Sequence, residues 1–234
     1  MRRFAIFLFV TFLFLPGPGG AEGDPVRLLW LIYEAHAFEG ESGEIKTLRR
    51  WEEPVRIRLT GPGAERWQAT VDEIGQWLSD HTGLPVETRA GWLGANMTVR
   101  LRSTDDMMGL LAERGFSLER EAGELPCLGR FWSNELSVIA SAESDVAGDM
   151  PDPDVRTCLW EEMLQTMGLP GDFCAGGETL FCGSQHPQRA TARDALVMRI
   201  HYDRRLRPGM TRAEAAPIVE TIIREHLAAG VAWR

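Results

Sequence analysis

An α+β domain is the fold class this sequence predicts, and three observations predict it. Trp51 to Leu59 alternates Val55, Ile57 and Leu59 against Arg56 and Arg58, and Met97 to Leu101 alternates again, both with the period of a half-buried strand. Between them Trp67, Val71, Ile74 and Leu78 recur at the spacing of a core-facing amphipathic helix. A second long helix is expected over Asp154 to Met167. With 44% hydrophobic residues in 234, the chain can build one compact domain with a sizeable core.

Residues 1–21 read as a cleavable export signal. Arg2 and Arg3 precede an apolar run from Phe4 to Leu15, then Pro16 and small residues lead to Ala21. A permanent span takes about 20 apolar residues, so the run is short for one, and an uncleaved anchor is the alternative. A periplasmic or secreted protein, cut after Ala21 and soluble thereafter, is the expectation. Residues 22–47 are read as a loosely ordered lead-in, with an apolar patch at Leu28 to Tyr33. The main domain is placed at 48–210 and a C-terminal helix at 211–234.

Within that domain Gly61-Pro62-Gly63 ends the first strand, and Gly83 is placed to stop the first helix after Thr82. Thr104-Asp105-Asp106 opens a short helix reaching about Arg114, and Leu136 to Ala140 is a third strand candidate. The acidic stretch Glu143 to Asp154 reads as a loop feeding the second long helix, with Asp154 able to cap its first amides. Val155, Leu159, Met163 and Thr166 should pack inward, while Cys158, Glu161, Glu162, Gln165 and Gly168 share a neighbouring face. Thr191-x-x-Asp194 and Thr211-x-x-Glu214 are capping boxes for two more helices, which end near Tyr202 and Gly230, with Pro208-Gly209 between them.

The formal charge is -9, and loss of Arg2 and Arg3 with the leader leaves 23 basic against 34 acidic side chains, or -11. This balance argues against nucleic acid or an anionic membrane as partner. Four cysteines in an exported chain read as two disulfides with three possible pairings. The preferred pairs are Cys174 with Cys182, closing a short loop, and Cys127 with Cys158, tying a strand region to the long helix. A cysteine metal site is the competing reading, and no Cys-x-x-Cys spacing supports it.

The stretch Cys158-Leu159-Trp160-Glu161-Glu162-Met163-Leu164-Gln165-Thr166-Met167-Gly168-Leu169-Pro170 has the layout of a zinc-protease active-site helix without its two histidines. The active pattern, His-Glu-x-x-His, supplies two metal ligands and a general base before x-x-Gly turns the chain toward a third ligand. Glu161 and Gln165 occupy the histidine positions, Glu162 the base position and Gly168 the glycine. Trp51 to Thr82 resembles the first strand and backing helix of matrixin-like domains, and Thr191 to Tyr202 resembles their closing helix. Glu178-Thr179-Leu180-Phe181 lies where the methionine turn of such domains would fall, without the methionine. The resemblance to zincin metalloproteases spans roughly Leu48 to Tyr202 and implies a mixed sheet with a backing helix and an active-site-type helix.

The chain is also similar to an uncharacterised family of bacterial exported proteins, catalogued as domain of unknown function 2927. The similarity rests on Cys158, Glu161, Glu162, Gln165, Gly168, Leu169 and Pro170, on Arg199-Ile200-His201-Tyr202-Asp203, and on Arg207-Pro208-Gly209-Met210. It implies a fold and no established activity.

A carboxylate and an amide in place of two imidazoles favour harder ions and hold zinc poorly. The third ligand position falls on Gly171, with Asp172 one residue beyond and His186 in the following loop. Without a metal, Glu162 has no polarised water to deprotonate. The leading reading is therefore a non-catalytic pseudoprotease without cofactor, whose cleft binds a protein segment or envelope component. An active metal-dependent hydrolase with Glu162 as base is the alternative. A structural divalent site, with calcium on Glu161, Asp172 and Glu178, is a third reading, and a purely structural envelope protein a fourth. Trp67 and Trp77 read as core, Trp92 and Trp132 as candidates for a binding surface, and His201 as a packed histidine near the cleft.

Overall fold

The computed structural model describes residues 24–40, 43–116, 125–174 and 177–233; the expected leader, residues 1–21, lies outside them. The chain opens with helix α1 (Pro25–Phe38), where the Asp24 carboxylate accepts from the Val26 amide and Pro25 sits in the first turn. A two-residue hairpin follows, β1 (Glu39–Gly40) and β2 (Gly43–Glu44). Then come β3 (Val55–Thr60), α2 (Ala64–Thr82), β4 (Val86–Glu87), β5 (Met97–Arg102), α3 (Thr104–Glu113), β6 (Cys127–Ser133) and β7 (Ile139–Ala147). Three helices close the chain: α4 (Asp152–Gln165), α5 (Ala192–His201) and α6 (Arg212–Ala228).

The main sheet is mixed, in the order β4-β3-β5-β7-β6. β3 runs parallel to β4 and β5, and β5 parallel to β7, while β6 returns antiparallel at the edge. Val55, Ile57, Met97, Val99, Ala142 and Val146 point from the strands into one core, against Trp67, Val71, Ile74 and Leu78 of α2 and Val155, Leu159 and Met163 of α4. Gly83 ends α2 at φ +72°, its amide donating to the Ser79 carbonyl. Both capping boxes form, at Thr191 and Asp194 and at Thr211 and Glu214.

The opposite face of the sheet carries a second, smaller cluster of Met107, Leu111, Leu128 and Ala147 under α3. Beside it Asp145 is fully buried, accepting from Arg100 and Arg102 at 3.0 and 2.7 Å and lying 3.5 Å from Arg130, which also bonds Glu143. A carboxylate removed from water requires such counter-charges, and among the described residues the cations here outnumber the anions.

Three expectations are corrected. Residues 22–47 are not a loose lead-in: Leu29, Ile32, Tyr33 and Phe38 of α1 are buried in the main core, and α1 lies along α6. The unbroken apolar run Leu28 to Tyr33 hides the helical period that Leu29, Ile32, Tyr33 and His36 follow. The third strand lies at Ile139–Ala147, so the acidic segment from Glu143 to Ala147 is strand and not loop; Asp145 is held there by arginines that no local pattern reveals. Finally, α4 begins at Asp152, two residues earlier than Asp154, behind Pro151 and with no side-chain cap.

Candidate functional site

The motif residues lie on α4 and the turn after it, and β6 is the element set against them. Cys158 on α4 is bonded to Cys127 at the start of β6, with Cα atoms 5.9 Å apart, and Cys174 is bonded to Cys182. These are the two pairings preferred from spacing. One turn beyond the staple, Gly129 lies directly over Glu162. A Cβ at position 129 would stand 2.7 Å from the Glu162 Oε2 and 3.0 Å from its carbonyl oxygen. Glycine is what allows strand and helix to approach this closely. Both motif glutamates are therefore buried, Glu161 at 7% and Glu162 at 5% exposure.

Gln165, half-buried at the end of α4, donates from its side-chain amide to Asp172 at 3.2 Å. Among the described residues, one group of three could bring metal-ligating atoms within 4.8 Å of one another: Cys127, Glu161 and Glu162. Its sulfur is committed to the disulfide, which leaves two carboxylates. Asp172, Glu178 and His186, the other candidates the sequence offers, are not in this group. Glu178 is exposed, and the His186 carbonyl lies 3.4 Å from the Thr157 hydroxyl, one turn before Glu161.

The end of α4 is fixed by residues distant in sequence. Orphan carbonyls of its last turn accept from the Trp51 indole (Thr166 O, 3.0 Å) and from the Tyr202 hydroxyl (Met167 O, 2.9 Å). Gly168 turns away at φ +104°, where a side chain would collide with the Arg49 carbonyl. That carbonyl accepts from His201 Nε2 at 3.0 Å, so Nε2 carries the proton and Nδ1 accepts from the Tyr33 hydroxyl at 3.2 Å. Burial, with the nearby Arg50 guanidinium, pushes His201 down to about 3. It is a neutral structural histidine.

Beyond Pro170 the chain is pinned to α1. His36 Nδ1 donates to the Gly171 carbonyl at 2.9 Å, and burial pushes His36 down to about 4. The next loop, from Thr179 to Cys182, is held by Asp194. Its carboxylate takes the Thr179 hydroxyl at 2.6 Å and the Thr191 amide at 2.7 Å, and burial pushes its pKa up against these donors. Leu180 and Phe181 are thereby seated in the core under α4.

A cleft of about 600 Å³ runs along the open side of β6. Gln165 and Pro170 line it on the α4 side, Leu128 to Trp132 on the strand side, and Arg49, Arg114 and Phe116 elsewhere around it. The Ala147 amide bonds the Pro126 carbonyl, which makes Cys127 and Val146 a non-hydrogen-bonded pair. By the alternation of an antiparallel ladder, Leu128, Arg130 and Trp132 then face β7 with their backbone groups, and Gly129 and Phe131 turn theirs to the cleft. Trp132 is exposed and stacks under Arg130, at 5.5 Å. Trp92 is exposed on another loop, while Trp67 is core.

Sequence reading missed Gly129, Arg49 and the Trp51–Tyr202 clamp. A glycine inside a strand does signal close approach of another backbone, so Gly129 was detectable once β6 was known. Trp51 and Tyr202 meet at a sequence separation of 151, which no spacing rule reaches.

The architecture defines a class: a mixed α+β protein with an antiparallel edge strand stapled by a disulfide to a helix bearing two buried glutamates. Within that class the chain belongs to the family described as "Protein of unknown function (DUF2927)", which matches residues 32–221. No curated protein matches the chain. Among the described residues, no helix is long and apolar enough to cross a membrane.

Proposed function

We propose that this is an exported, zincin-like pseudoprotease that holds a polypeptide segment in the cleft along β6 without cleaving it. The observation that carries the reading is the position of Glu162. A general base must reach the water and carbonyl it acts on, but this carboxylate is packed against Gly129, and the cleft wall beside it is formed by Gln165. The donor set does not fit a catalytic zinc either: neither motif position offers an imidazole, Gln165 is engaged with Asp172, and the nearby sulfur is in a disulfide. Two disulfides support an oxidising compartment and so the export reading. The outward backbone groups of Gly129 and Phe131, on a strand at the sheet edge among the described residues, suit addition of one more strand, a common mode of peptide capture.

Hydrogen exchange on the mature protein with and without random-sequence peptides tests this. The amides of Gly129 and Phe131 should slow on binding, and Glu162→Gln should bind peptides as the parent does. The closeness of the Glu161 and Glu162 carboxylates favours one other reading, a metal-dependent hydrolase with Glu162 as base. Stoichiometric metal in the purified protein, lost in Glu161→Ala and Gln165→Ala, with turnover abolished in Glu162→Gln, would establish that reading instead.

A further inference from the structure

Building on the peptide-holding reading, we infer that the cleft selects extended segments that carry acidic side chains. Its described lining includes Arg49, Arg114 and Arg130 and no carboxylate, in a chain with 34 acidic and 25 basic side chains. Surfaces of so acidic a protein are on average negative, so three arginines as the charged side chains of the described lining are a local reversal.

The three arginines differ in what already neutralises them. Arg130 is tied to Glu143 and Asp145, in a network where Arg100, Arg102 and Arg130 face those two carboxylates; among the described residues three cations there meet two anions. Arg49 and Arg114 make no ion pair with any described carboxylate. Arg49 is half-buried, and its Nε is out of water without a hydrogen-bond partner. Arg114 is exposed at the end of α3, where that helix meets the cleft. A guanidinium held partly out of water gains most from a carboxylate, whose two oxygens match its fork of donors.

The backbone supplies the second half of the match. A segment pairing with the outward groups of Gly129 and Phe131 is held whatever its sequence, because those bonds read only the main chain. Sequence preference must then come from side chains flanking the added strand. On this wall they are the arginines and the apolar surfaces of Phe131, Trp132 and Pro170. The occupant is accordingly an extended stretch of a partner polypeptide in which Asp or Glu alternates with apolar residues.

The test uses degenerate nonapeptide pools, acetylated and amidated so that side chains are the sole carboxylates, with Glu, Gln or Lys fixed at the centre. Each pool is passed over the immobilised mature protein, and retained peptide is measured by mass spectrometry. Retention of the Glu pool should exceed that of the Gln pool about tenfold, with Lys lowest, the size expected for one partly desolvated ion pair. That advantage should shrink as salt is raised, since screening weakens it. Arg49→Gln with Arg114→Gln should bring the Glu pool down to the level of the Gln pool, leaving the Gln pool unchanged. Arg114→Gln alone, at an exposed position, should give part of that loss with the melting temperature unaltered. Equal retention of Glu and Gln pools by the parent protein overturns the acidic preference and leaves peptide holding intact. Retention of no pool overturns both.

Discussion

Gly129 shows how one missing methyl group sets the character of the site. Placing a Cβ there forces it onto the carbonyl and carboxylate of Glu162, and the helix backbone cannot swing aside as a side-chain end can. Gly129→Ala should therefore cost about 1–3 kcal/mol by overpacking, measured as a lower urea midpoint. Gly168→Ala should cost more, because its positive φ adds backbone strain to a collision with the Arg49 carbonyl. A second prediction at this scale concerns His201 and His36. Their folded pKa values, about 3 and about 4, lie below the unfolded value of 6.5. Below pH 6.5 the unfolded chain takes up these protons and the folded one does not, so stability is full above pH 6.5 and lost as pH falls. Between pH 7 and 5 each histidine should remove about 2 kcal/mol. Denaturation curves at the two pH values check this, and His201→Gln should shrink the difference by about half.

Among the elements, β6 and α4 form the unit on which the function turns. Their disulfide spans a sequence separation of 31, and the Cys174–Cys182 bridge spans 8. Loop-closure entropy then assigns about 3–4 kcal/mol to the first and roughly 2–3 kcal/mol to the second. The double replacement Cys127→Ser with Cys158→Ser should accordingly lower stability more than the corresponding change at Cys174 and Cys182. It should also speed amide exchange along β6, since the staple is what fastens this edge strand to the helix beneath it. Equal effects of the two pairs, with β6 exchange unchanged, would mean that packing at Gly129 holds the strand unaided.

At the scale of the molecule, the two ends of the described chain support the centre. α1 supplies the Tyr33 hydroxyl to His201 and the His36 imidazole to the Gly171 carbonyl, and it packs along α6. A chain beginning at Leu48 would expose the pockets of Leu29, Ile32, Tyr33 and Phe38 and leave both of these contacts unmade. Such a truncation should lose cooperative thermal unfolding altogether, read by circular dichroism, instead of melting a few degrees early. If it melts cooperatively near the temperature of the full chain, α1 is an appendage, as its sequence first suggested.

What the sequence determined by itself was local and periodic. The alternation at Val55 to Leu59 and Met97 to Leu101, the spacing of Trp67 to Leu78, the stop at Gly83 and both capping boxes all place elements correctly, because each depends on neighbours within a turn or a pleat. The inward stripe of α4 was equally legible. The tertiary structure alone decided the rest. Asp145 belongs to a strand because three arginines from β5 and β6 neutralise it, and α1 is a core helix because α6 and the turn after α4 cover it. Most of all, the motif glutamates became buried when the chain brought Gly129 across them from more than thirty residues away. Long-range packing chooses which polar groups lose their water, and spacing along a chain carries no record of that choice.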